Sequence, residues 1–553
     1  MARSIWRPHG RMAPLSVMTT SPLTIDCLPT TPALRAGQEV TLHVLVRLRV
    51  AVPEGRRPRP RLTTVLALDV SGSMGGQPLE HVIRSTERIV ELLEDGDSVG
   101  LVAFSSAAVE VAPLQTLAPG TRRALQKAVR GLRAEGGTNI AAGLQKAAKM
   151  FPERRAQEQQ MTLLLSDGQP NVGPSSAREL GAEASQLRSR HIAVSTLGYG
   201  SSHDEKVLIN MAEMGGGRYA FVSEPQLAEG SFVQALGAQL DVVVEGPRLT
   251  LTPCEDADIV RVLGDHRTSV GADGLRVSLR DLVAGEELSV LVEMKLRAWR
   301  EGSWRALYAT LSGAEPGGAT VQQQAVATVE VSAQGAVRHD LEAVAAVAVA
   351  LAEEQRTRAR AMVERGDLDG AIAWLQHGVA AIEQTPGFVA GQGHRLNDAH
   401  EALVDDVSFY QKRPDMERST SYGKAQQDYL SLSKGISRKT MSPSTQMMEA
   451  KRRAMSTVRA RLIVLSGPGA GQQVVLDQAR TVIGRSVDSD LAIHSEQLSR
   501  RHAIVEQLGD EFWVVDLGST NGITLGGKLI QRRALVDGDV LEIGETRIQY
   551  RKG

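Results

Sequence analysis

The chain has 553 residues, and its 63 lysines and arginines nearly balance 64 aspartates and glutamates, which leaves a formal net charge of -1. This length predicts roughly three or four domains rather than one. The balanced charge gives no overall basic field and the 3% aromatic content argues against base stacking, so neither nucleic acid nor a membrane is expected as a partner. Two cysteines, Cys27 and Cys254, form neither a disulfide framework nor a metal-ligand spacing.

The N-terminal residues carry no clear targeting signal. The stretch MAPLSVM is too short and too polar for the core of a signal peptide, and no segment approaches the ~20 apolar residues of a membrane helix. We therefore expect a cytoplasmic protein. Residues 1–22 are expected to be disordered, and Met12 or Met18 is an alternative start.

Alternating segments flank a long α/β region. Residues 38–51 alternate apolar and polar side chains, which predicts a half-buried strand within 23–60. From 61 to 242, continuous apolar runs alternate with helical segments, which predicts a doubly wound, Rossmann-like parallel sheet covered on both faces. Residues 243–333 return to alternation and predict an antiparallel β-sandwich. The strand at 38–51 is expected to join that sandwich, with the α/β domain inserted between its parts.

The remaining segments predict helices, a linker and a second sandwich. Residues 334–410 are helical and favour a hairpin spacer, because one or two helical units are too few for a tetratricopeptide-type array. Residues 411–457 are rich in Ser, Thr, Lys, Gln and Met and predict a flexible linker. Residues 458–553 contain short strands separated by turn signals, a pattern typical of an all-β sandwich.

Polar side chains follow the first strand of the α/β region. In the stretch ALDVSGSMGG, Asp69, Ser71 and Ser73 lie directly beyond the apolar run. Ligands of doubly wound sheets bind beyond the carboxyl ends of the strands, where EGGTNI would add Thr138 and LLLSDG would add Asp167. Two carboxylates and three hydroxyls are hard oxygen donors that suit Mg²⁺ or another divalent cation. A cation held mainly by neutral hydroxyls keeps positive charge and can attract a partner's carboxylate.

This constellation resembles the metal-ion-dependent adhesion site of the von Willebrand factor A (VWA) family, and the similarity covers the predicted α/β domain. The resemblance implies that Asp69, Ser71, Ser73 and Thr138 lie near a metal, and that Asp167 often acts through water. It also implies that the metal binds an acidic residue of a protein ligand. A strand-end turn with an Asx or Ser cap is the structural alternative for the first motif alone, but three loops in order favour the metal site.

The C-terminal sandwich carries three spaced motifs: IGRS, LSRRH and DLGSTNG. All three fall in loops between predicted strands, where binding groups usually lie. Arg485 and Arg500 have planar cationic side chains suited to a phosphate dianion. Ser499, Thr520 and Asn521 can add neutral hydrogen bonds.

These motifs resemble those of the forkhead-associated (FHA) family. The resemblance implies that phosphothreonine peptides bind to the loops at one end of the sandwich. The residues implied to contact phosphate are Arg485, Ser499 and Arg500, and those implied to hold the peptide backbone are Thr520 and Asn521. The residues implied to be structural are Gly484, His502 and Gly522.

Together the two motif sets predict a non-enzymatic signalling adaptor. A Mg²⁺-dependent site would bind an acidic residue of one protein, and the FHA-like site would bind a phosphothreonine protein, which implies a Ser/Thr kinase and a phosphatase in the same bacterial cell. One alternative is a partner or substrate adaptor of a ring ATPase of the MoxR or metal-chelatase type. Others are a surface adhesin, which would need an export signal, and a metal-dependent hydrolase, for which Asp167 is the only candidate base.

The linker adds a regulatory hypothesis. It contains Thr420, Thr440 and Thr445, and basic residues precede Thr440 in RKTMSPST. A phosphorylated Thr440 would be tethered near the FHA-like loops at high effective concentration, where it could block them or link two chains. The alternative is a tether without a regulatory role.

Overall fold

The computed structural model of the protein describes most of the chain outside the N-terminus and the linker. The described residues are 23–52, 59–155, 158–167, 169–199, 205–222, 225–254, 256–264, 266–316, 318–334, 337–389, 394–413, 460–476, 480–486, 489–508, 511–517 and 519–553. Thr420, Thr440 and Thr445 of the linker hypothesis, and the N-terminal segment 1–22, lie outside these residues. No helix in the described part of the chain is both long enough and apolar enough to cross a bilayer.

The first part of the chain contains three strands followed by an α/β domain. Its strands are β1 (Leu23–Pro29), β2 (Ala33–Arg35), β3 (Gln38–Val50), β4 (Arg61–Asp69), β5 (Ser98–Phe104), β6 (Ala108–Thr116), β7 (Glu158–Ser166), β8 (Ile192–Tyr199) and β9 (Gly216–Val222). Its helices are α1 (Gln77–Leu92), α2 (Pro119–Arg130), α3 (Ile140–Met150), α4 (Ala177–Ser189), α5 (Glu205–Met214) and α6 (Pro225–Leu240), with a 3-10 turn at Gly72–Met74.

The α/β domain has one six-stranded sheet in the order β6-β5-β4-β7-β8-β9. All neighbours are parallel except the edge strand β6, which is antiparallel to β5. Helices α1, α2 and α6 pack on one face, and α3, α4 and α5 pack on the other. Strand β4 is buried from Leu62 to Asp69 because it lies in the middle of a sheet covered on both faces. The predicted doubly wound sheet is confirmed.

Two sheets form the flanking β-sandwich. Its later strands are β10 (Val242–Pro253), β11 (Ala257–Leu263), β12 (Thr268–Gly271), β13 (Gly274–Ser278), β14 (Leu282–Val283), β15 (Glu287–Ala298), β16 (Gly302–Ala314) and β17 (Thr320–Ser332). One sheet has the order β1-β3-β15-β11, and the other has the order β12-β13-β10-β16-β17-β2 with β14 beside β10. Strand β3 is antiparallel to β15 along its whole length, so the α/β domain is inserted between two strands of one sheet.

Three helices follow the sandwich: α7 (Leu341–Glu364), α8 (Leu368–Glu383) and α9 (His394–Gln411). They share one apolar core, which includes Leu375 and Leu403. The predicted two-helix hairpin was therefore incomplete, because α9 packs against both of the other helices. Acidic residues on the outer face of α9 obscure its apolar stripe. The partners of these acids lie far along the chain and are described below.

The C-terminal domain is a sandwich of two sheets. Its strands are β18 (Ala460–Ser466), β19 (Gln473–Val475), β20 (Arg480–Gly484), β21 (Leu491–Ala492), β22 (Ala503–Leu508), β23 (Glu511–Asp516), β24 (Ile523–Leu525), β25 (Lys528–Ile530), β26 (Arg532–Leu535), β27 (Val540–Ile543) and β28 (Thr546–Lys552). The sheet orders are β19-β18-β28-β27-β24-β25 and β21-β20-β22-β23-β26. Trp513 of β23 packs against an apolar cluster of the α/β domain, so the two domains are in contact.

Candidate functional sites

Three loops meet at the carboxyl edge of the α/β sheet. The backbone amide of Gly72, just after β4, donates to the carbonyl of Gly136 at 2.9 Å. The amide of Asn171, in the loop after β7, donates to the carbonyl of Thr138 at 3.1 Å. Backbone hydrogen bonds therefore join the loops that carry the predicted metal-binding residues.

The middle loop needs its two glycines to approach the others this closely. Gly136 has a φ of +73°, a conformation that glycine adopts without strain. A Cβ atom on Gly137 would lie 2.6 Å from Oδ1 of Asn171 and 2.7 Å from Cγ2 of Val172. Any side chain at Gly137 would push the second and third loops apart.

Asp69 is a buried carboxylate at the centre of this edge, with 0% exposure. Its Oδ1 accepts from the amide of Ser71 at 2.9 Å, and its Oδ2 accepts from the hydroxyl of Ser166 at 2.5 Å. Burial raises the pKa of Asp69 to about 6, the hydrogen bonds from Ser166 and Ser71 oppose that rise, and the charge of Asp167 adds to it. No basic side chain is among the groups that shift this pKa, so a bound divalent cation would offset the buried negative charge.

Two of the predicted hydroxyls, those of Ser71 and Ser73, lie near this carboxylate. The Oγ atoms of Ser71 and Ser73 are 3.1 Å apart, and Ser71 is buried whereas Ser73 is exposed, so the group opens towards solvent. Thr138 is buried. Asp167 is half-buried, and its Oδ1 accepts from the amide of Gln169 at 3.2 Å.

The chemistry of this donor set fits a hard divalent cation. Across the described residues, no group of three or more His, Cys, Asp or Glu side chains is placed to bind a metal. A cation at this edge would therefore rest on hydroxyl oxygens as well as on Asp69 and Asp167. Hydroxyl, carboxylate and water oxygens are the ligands that Mg²⁺ takes in proteins.

Two residues that support this edge were not predicted. Ser166 donates to Asp69, and Oδ1 of Asn171 accepts from the amide of Thr138 at 2.7 Å. The position of Ser166 directly before Asp167 at the end of an apolar run could have indicated its role. No sequence signal marks Asn171, because its partner belongs to another loop.

The second site lies at one end of the C-terminal sandwich. The amide of Thr520 donates to Oγ of Ser499 at 3.0 Å, and the two hydroxyl oxygens are 3.2 Å apart. Nδ2 of Asn521 donates to the carbonyl of Gln497 at 2.7 Å. The LSRRH and DLGSTNG loops are therefore joined, and three predicted polar residues, Ser499, Thr520 and Asn521, lie along the same rim.

His502 supports this rim from the interior of the domain. It is fully buried, its Nδ1 accepts from the amide of Ser499 at 3.1 Å, and its Nε2 donates to the carbonyl of Gly522 at 3.0 Å. Both ring nitrogens are thus used by the neutral imidazole. Burial lowers the pKa of His502 to about 4, despite the hydrogen bond to Gly522. The structural role of His502 stays a prediction, and these contacts describe how the side chain would fill it.

Gly484 brings the two arginine-bearing loops together. A Cβ atom at this position would lie 1.9 Å from the carbonyl oxygen of Arg500. The amide of Arg485 then donates to the carbonyl of Ser499 at 3.2 Å. This close approach sets Arg485 and Arg500 side by side.

Both arginines contact acidic side chains of α9. Nη1 of Arg485 lies 3.2 Å from Oε2 of Glu401, and its Nη2 lies 3.5 Å from Oδ1 of Asp405. Nε of Arg500 lies 3.0 Å from the same Glu401 oxygen, and its guanidinium also contacts the carboxylate and the backbone carbonyl of Asp398. The predicted phosphate-binding cations therefore hold carboxylates from another part of the chain.

Comparisons with known proteins identify both regions. The model of the von Willebrand factor type A domain matches residues 64–233, and that of the FHA domain matches residues 481–544. A solved von Willebrand factor type A structure from Catenulispora acidiphila is similar with a TM-score of 0.55 at 18% identity, over 72% of this chain and 91% of that one. This likeness concerns the fold.

Two curated relatives each match one part of the chain. The uncharacterized protein sll0103 of Synechocystis is 29% identical over 263 residues, which cover 45% of this chain and 61% of the relative. The glycogen accumulation regulator GarA of Mycolicibacterium smegmatis is 40% identical over 94 residues, which cover 17% of this chain and 60% of the relative. The chain thus spans about three fifths of the length of these relatives.

Proposed function

Because the chain contains a von Willebrand factor type A domain and an FHA domain, we propose that it is a non-enzymatic signalling adaptor with two binding sites. The FHA domain binds phosphothreonine-containing proteins, and the VWA domain binds an acidic residue of another protein through a divalent cation. The similarity of the FHA domain to a protein named as a regulator of glycogen accumulation supports a regulatory role.

The observation that carries the phosphothreonine proposal is the set of anion contacts at Arg485 and Arg500. Two guanidinium groups share one carboxylate oxygen of Glu401, so this end of the sandwich binds negative charge. The hydroxyls of Ser499 and Thr520 lie on the adjoining rim. A phosphate group presents more charge and more acceptor oxygens than a carboxylate and suits paired guanidinium groups.

The metal-dependent part of the proposal rests on Asp69 and the hydroxyls around it. Asp69 carries a buried charge, and Ser71, Ser73, Thr138 and Asp167 would supply further oxygen ligands from the three joined loops. When bound, a divalent cation would supply an electrophilic centre for a partner's carboxylate. This chain's own contribution is to hold the hydroxyls in place and to leave the edge open at Ser73.

A phosphopeptide titration of the full chain tests the main proposal. A library with a fixed phosphothreonine is compared with the same peptides carrying threonine or phosphoserine. We expect phosphothreonine-dependent binding that Arg485→Ala abolishes and that Arg551→Ala, a change in the same domain, leaves intact. Binding that persists in Arg485→Ala would contradict the assignment of the site. If binding depends on phosphothreonine and on Arg485, the peptides that the library prefers would guide the search for the partner, the kinase and the phosphatase.

A further inference from the structure

The acidic face of α9 lies on the FHA arginines. We propose that α9 is an internal acidic ligand of the FHA domain, which competes with phosphothreonine partners for Arg485 and Arg500. This inference rests on the proposed phosphothreonine function and adds a regulation of that site. A partner or condition that removes α9 from the site would raise its affinity for phosphothreonine.

The spacing of three carboxylates on α9 supports this contact. Asp398, Glu401 and Asp405 are separated by three and then four residues, so they lie on one face of the helix. Together they contact both Arg485 and Arg500. A helix face with three acids therefore meets the two cations predicted to bind phosphate.

The opposite face anchors α9 in the helical domain. Asp406 accepts from Nε and Nη2 of Arg356 on α7 at 2.7 and 3.1 Å, and both side chains are almost fully buried. Leu403 and Tyr410 are buried in the same core. The acids are thus presented by a packed helix, which reduces the conformational entropy lost when they bind the arginines.

The C-terminal end of α9 reaches a second part of the FHA rim. Nζ of Lys412 donates to the backbone carbonyl of Thr520 at 3.1 Å. Thr520 belongs to the loop predicted to hold the peptide backbone. The helix and the residues just after it therefore contact both the phosphate-binding and the backbone-binding parts of the proposed site. A phosphopeptide could not occupy that site without displacing them.

The charges of this contact favour an exchangeable rather than a permanent ligand. The side chains of Asp398 and Glu401 keep 35% and 25% of their exposure, and ion pairs that water can reach are individually weak. A phosphothreonine carries about 1.5 to 2 negative charges on one group, which exceeds the charge of any single carboxylate. The helix has the advantage of being in the same chain, with an effective concentration on the order of millimolar.

Neutralising the helix tests the inference directly. The full chain with Asp398→Asn, Glu401→Gln and Asp405→Asn is compared with wild type in titrations against a library-selected phosphothreonine peptide. We expect the dissociation constant to fall by about tenfold or more, because the fraction of binding-competent sites rises. A control with Glu183→Gln, Glu330→Gln and Glu364→Gln makes the same change of charge elsewhere in the chain, away from the FHA arginines.

The possible outcomes separate the inference from the function on which it rests. Tighter binding by the α9 variant, lost again when Arg485→Ala is added, supports both. Equal affinity of the α9 variant and wild type overturns the inference and leaves the phosphothreonine function standing. Absence of phosphopeptide binding in both proteins overturns the function and the inference together.

Carboxyl footprinting of wild type gives a second readout that does not depend on the stability of a variant. Carbodiimide-driven labelling of Asp398, Glu401 and Asp405 is measured with and without saturating phosphopeptide. We expect labelling at these three residues to rise several-fold when the peptide is bound, while Asp369 stays unchanged. Unchanged labelling at all four, with the peptide demonstrably bound, would show that α9 and the peptide do not compete.

Discussion

The two candidate sites differ in the sign of their charged groups and in whether these groups are already paired with an opposite charge. At the edge of the VWA sheet, Asp69 is a buried anion whose partners among the described residues are hydroxyl and amide donors. At the end of the FHA sandwich, the cations Arg485 and Arg500 are already paired with acids of α9. On the proposed functions, an added cation would complete the first site, whereas a phosphopeptide at the second site would first have to displace part of the chain.

The two sites therefore differ in how binding of the proposed ligand would affect the folded chain. A cation binding near Asp69 would relieve an existing electrostatic cost, so its binding should stabilise the folded domain. A phosphopeptide at the FHA domain exchanges one set of ion pairs for another, so its net effect should depend on how strongly α9 is held.

Breaking the backbone approach at Gly484 should have the largest effect. In Gly484→Ala the new Cβ would overlap the carbonyl of Arg500, and we expect a loss of about 3 kcal/mol in unfolding free energy together with phosphopeptide binding. Hydrogen exchange across residues 481–544 of the full chain measures the local stability. Gly120→Ala, where a Cβ meets nothing within 4 Å, is the matched control. Native-like exchange in Gly484→Ala would contradict this view of the rim.

Removing the buried charge at Asp69 should abolish the response to cations. For wild type, Mg²⁺ at about 100 times its dissociation constant should add about 2.7 kcal/mol to the unfolding free energy. Asp69→Asn should show no such gain, because the anionic ligand is gone. Thermal unfolding with Mg²⁺ or with chelator measures the difference, and the surface variant Asp95→Asn should respond like wild type. A cation response that survives in Asp69→Asn would refute the site.

Acidification should weaken the FHA domain through His502. The folded domain keeps this imidazole neutral down to about pH 4, whereas the unfolded chain takes up a proton near the ordinary pKa of 6.5. Stability is therefore present above pH 6.5 and is lost as the pH falls towards 4, by about 2 kcal/mol between pH 7 and pH 5. Hydrogen exchange of residues 481–544, corrected for intrinsic rates, measures the loss. His502→Asn should be less stable at pH 7 but should lack this pH dependence.

Loosening the VWA loops at Asn171 should have a smaller effect. Asn171→Ala removes the acceptor for the amide of Thr138, at a cost of about 1 kcal/mol, and should weaken Mg²⁺ binding by about fivefold. Isothermal titration of the full chain with Mg²⁺ measures this change. Asn171→Asp retains an acceptor oxygen and should preserve the loop arrangement. Equal Mg²⁺ affinities for Asn171→Ala and wild type would show that the second and third loops do not depend on this contact.

Removing Lys412 should produce the smallest change. Its single exposed hydrogen bond to Thr520 is expected to contribute about 0.5 kcal/mol, so Lys412→Ala should tighten phosphopeptide binding by about twofold at most. Fluorescence anisotropy with a labelled peptide can resolve such a shift. Lys528→Ala, at another exposed lysine of the FHA domain, is the control. A tenfold change in Lys412→Ala would mean that the backbone contact, rather than the three acids, holds α9 on the site.

Local patterns were sufficient to predict the doubly wound sheet. Strand β4 is continuously apolar because both of its faces are covered, and this pattern can be recognised from sequence alone. The position of Asp69 at the end of that strand indicated the edge of the sheet at which it lies. The hairpin prediction for 334–410 missed the packing of α9, because the acids on its outer face obscure its apolar stripe.

Short-range periodicity and motifs a few residues long were enough to predict most of the elements, the order of the domains and the residue types at both candidate sites. The contacts of those residues could be known only from the folded chain. Asn171 supports Thr138 from another loop, and Glu401 of α9 lies on Arg485 and Arg500 from outside the FHA domain. Such partners leave no local pattern, since ion pairs and loop contacts between distant segments depend on how the domains pack together.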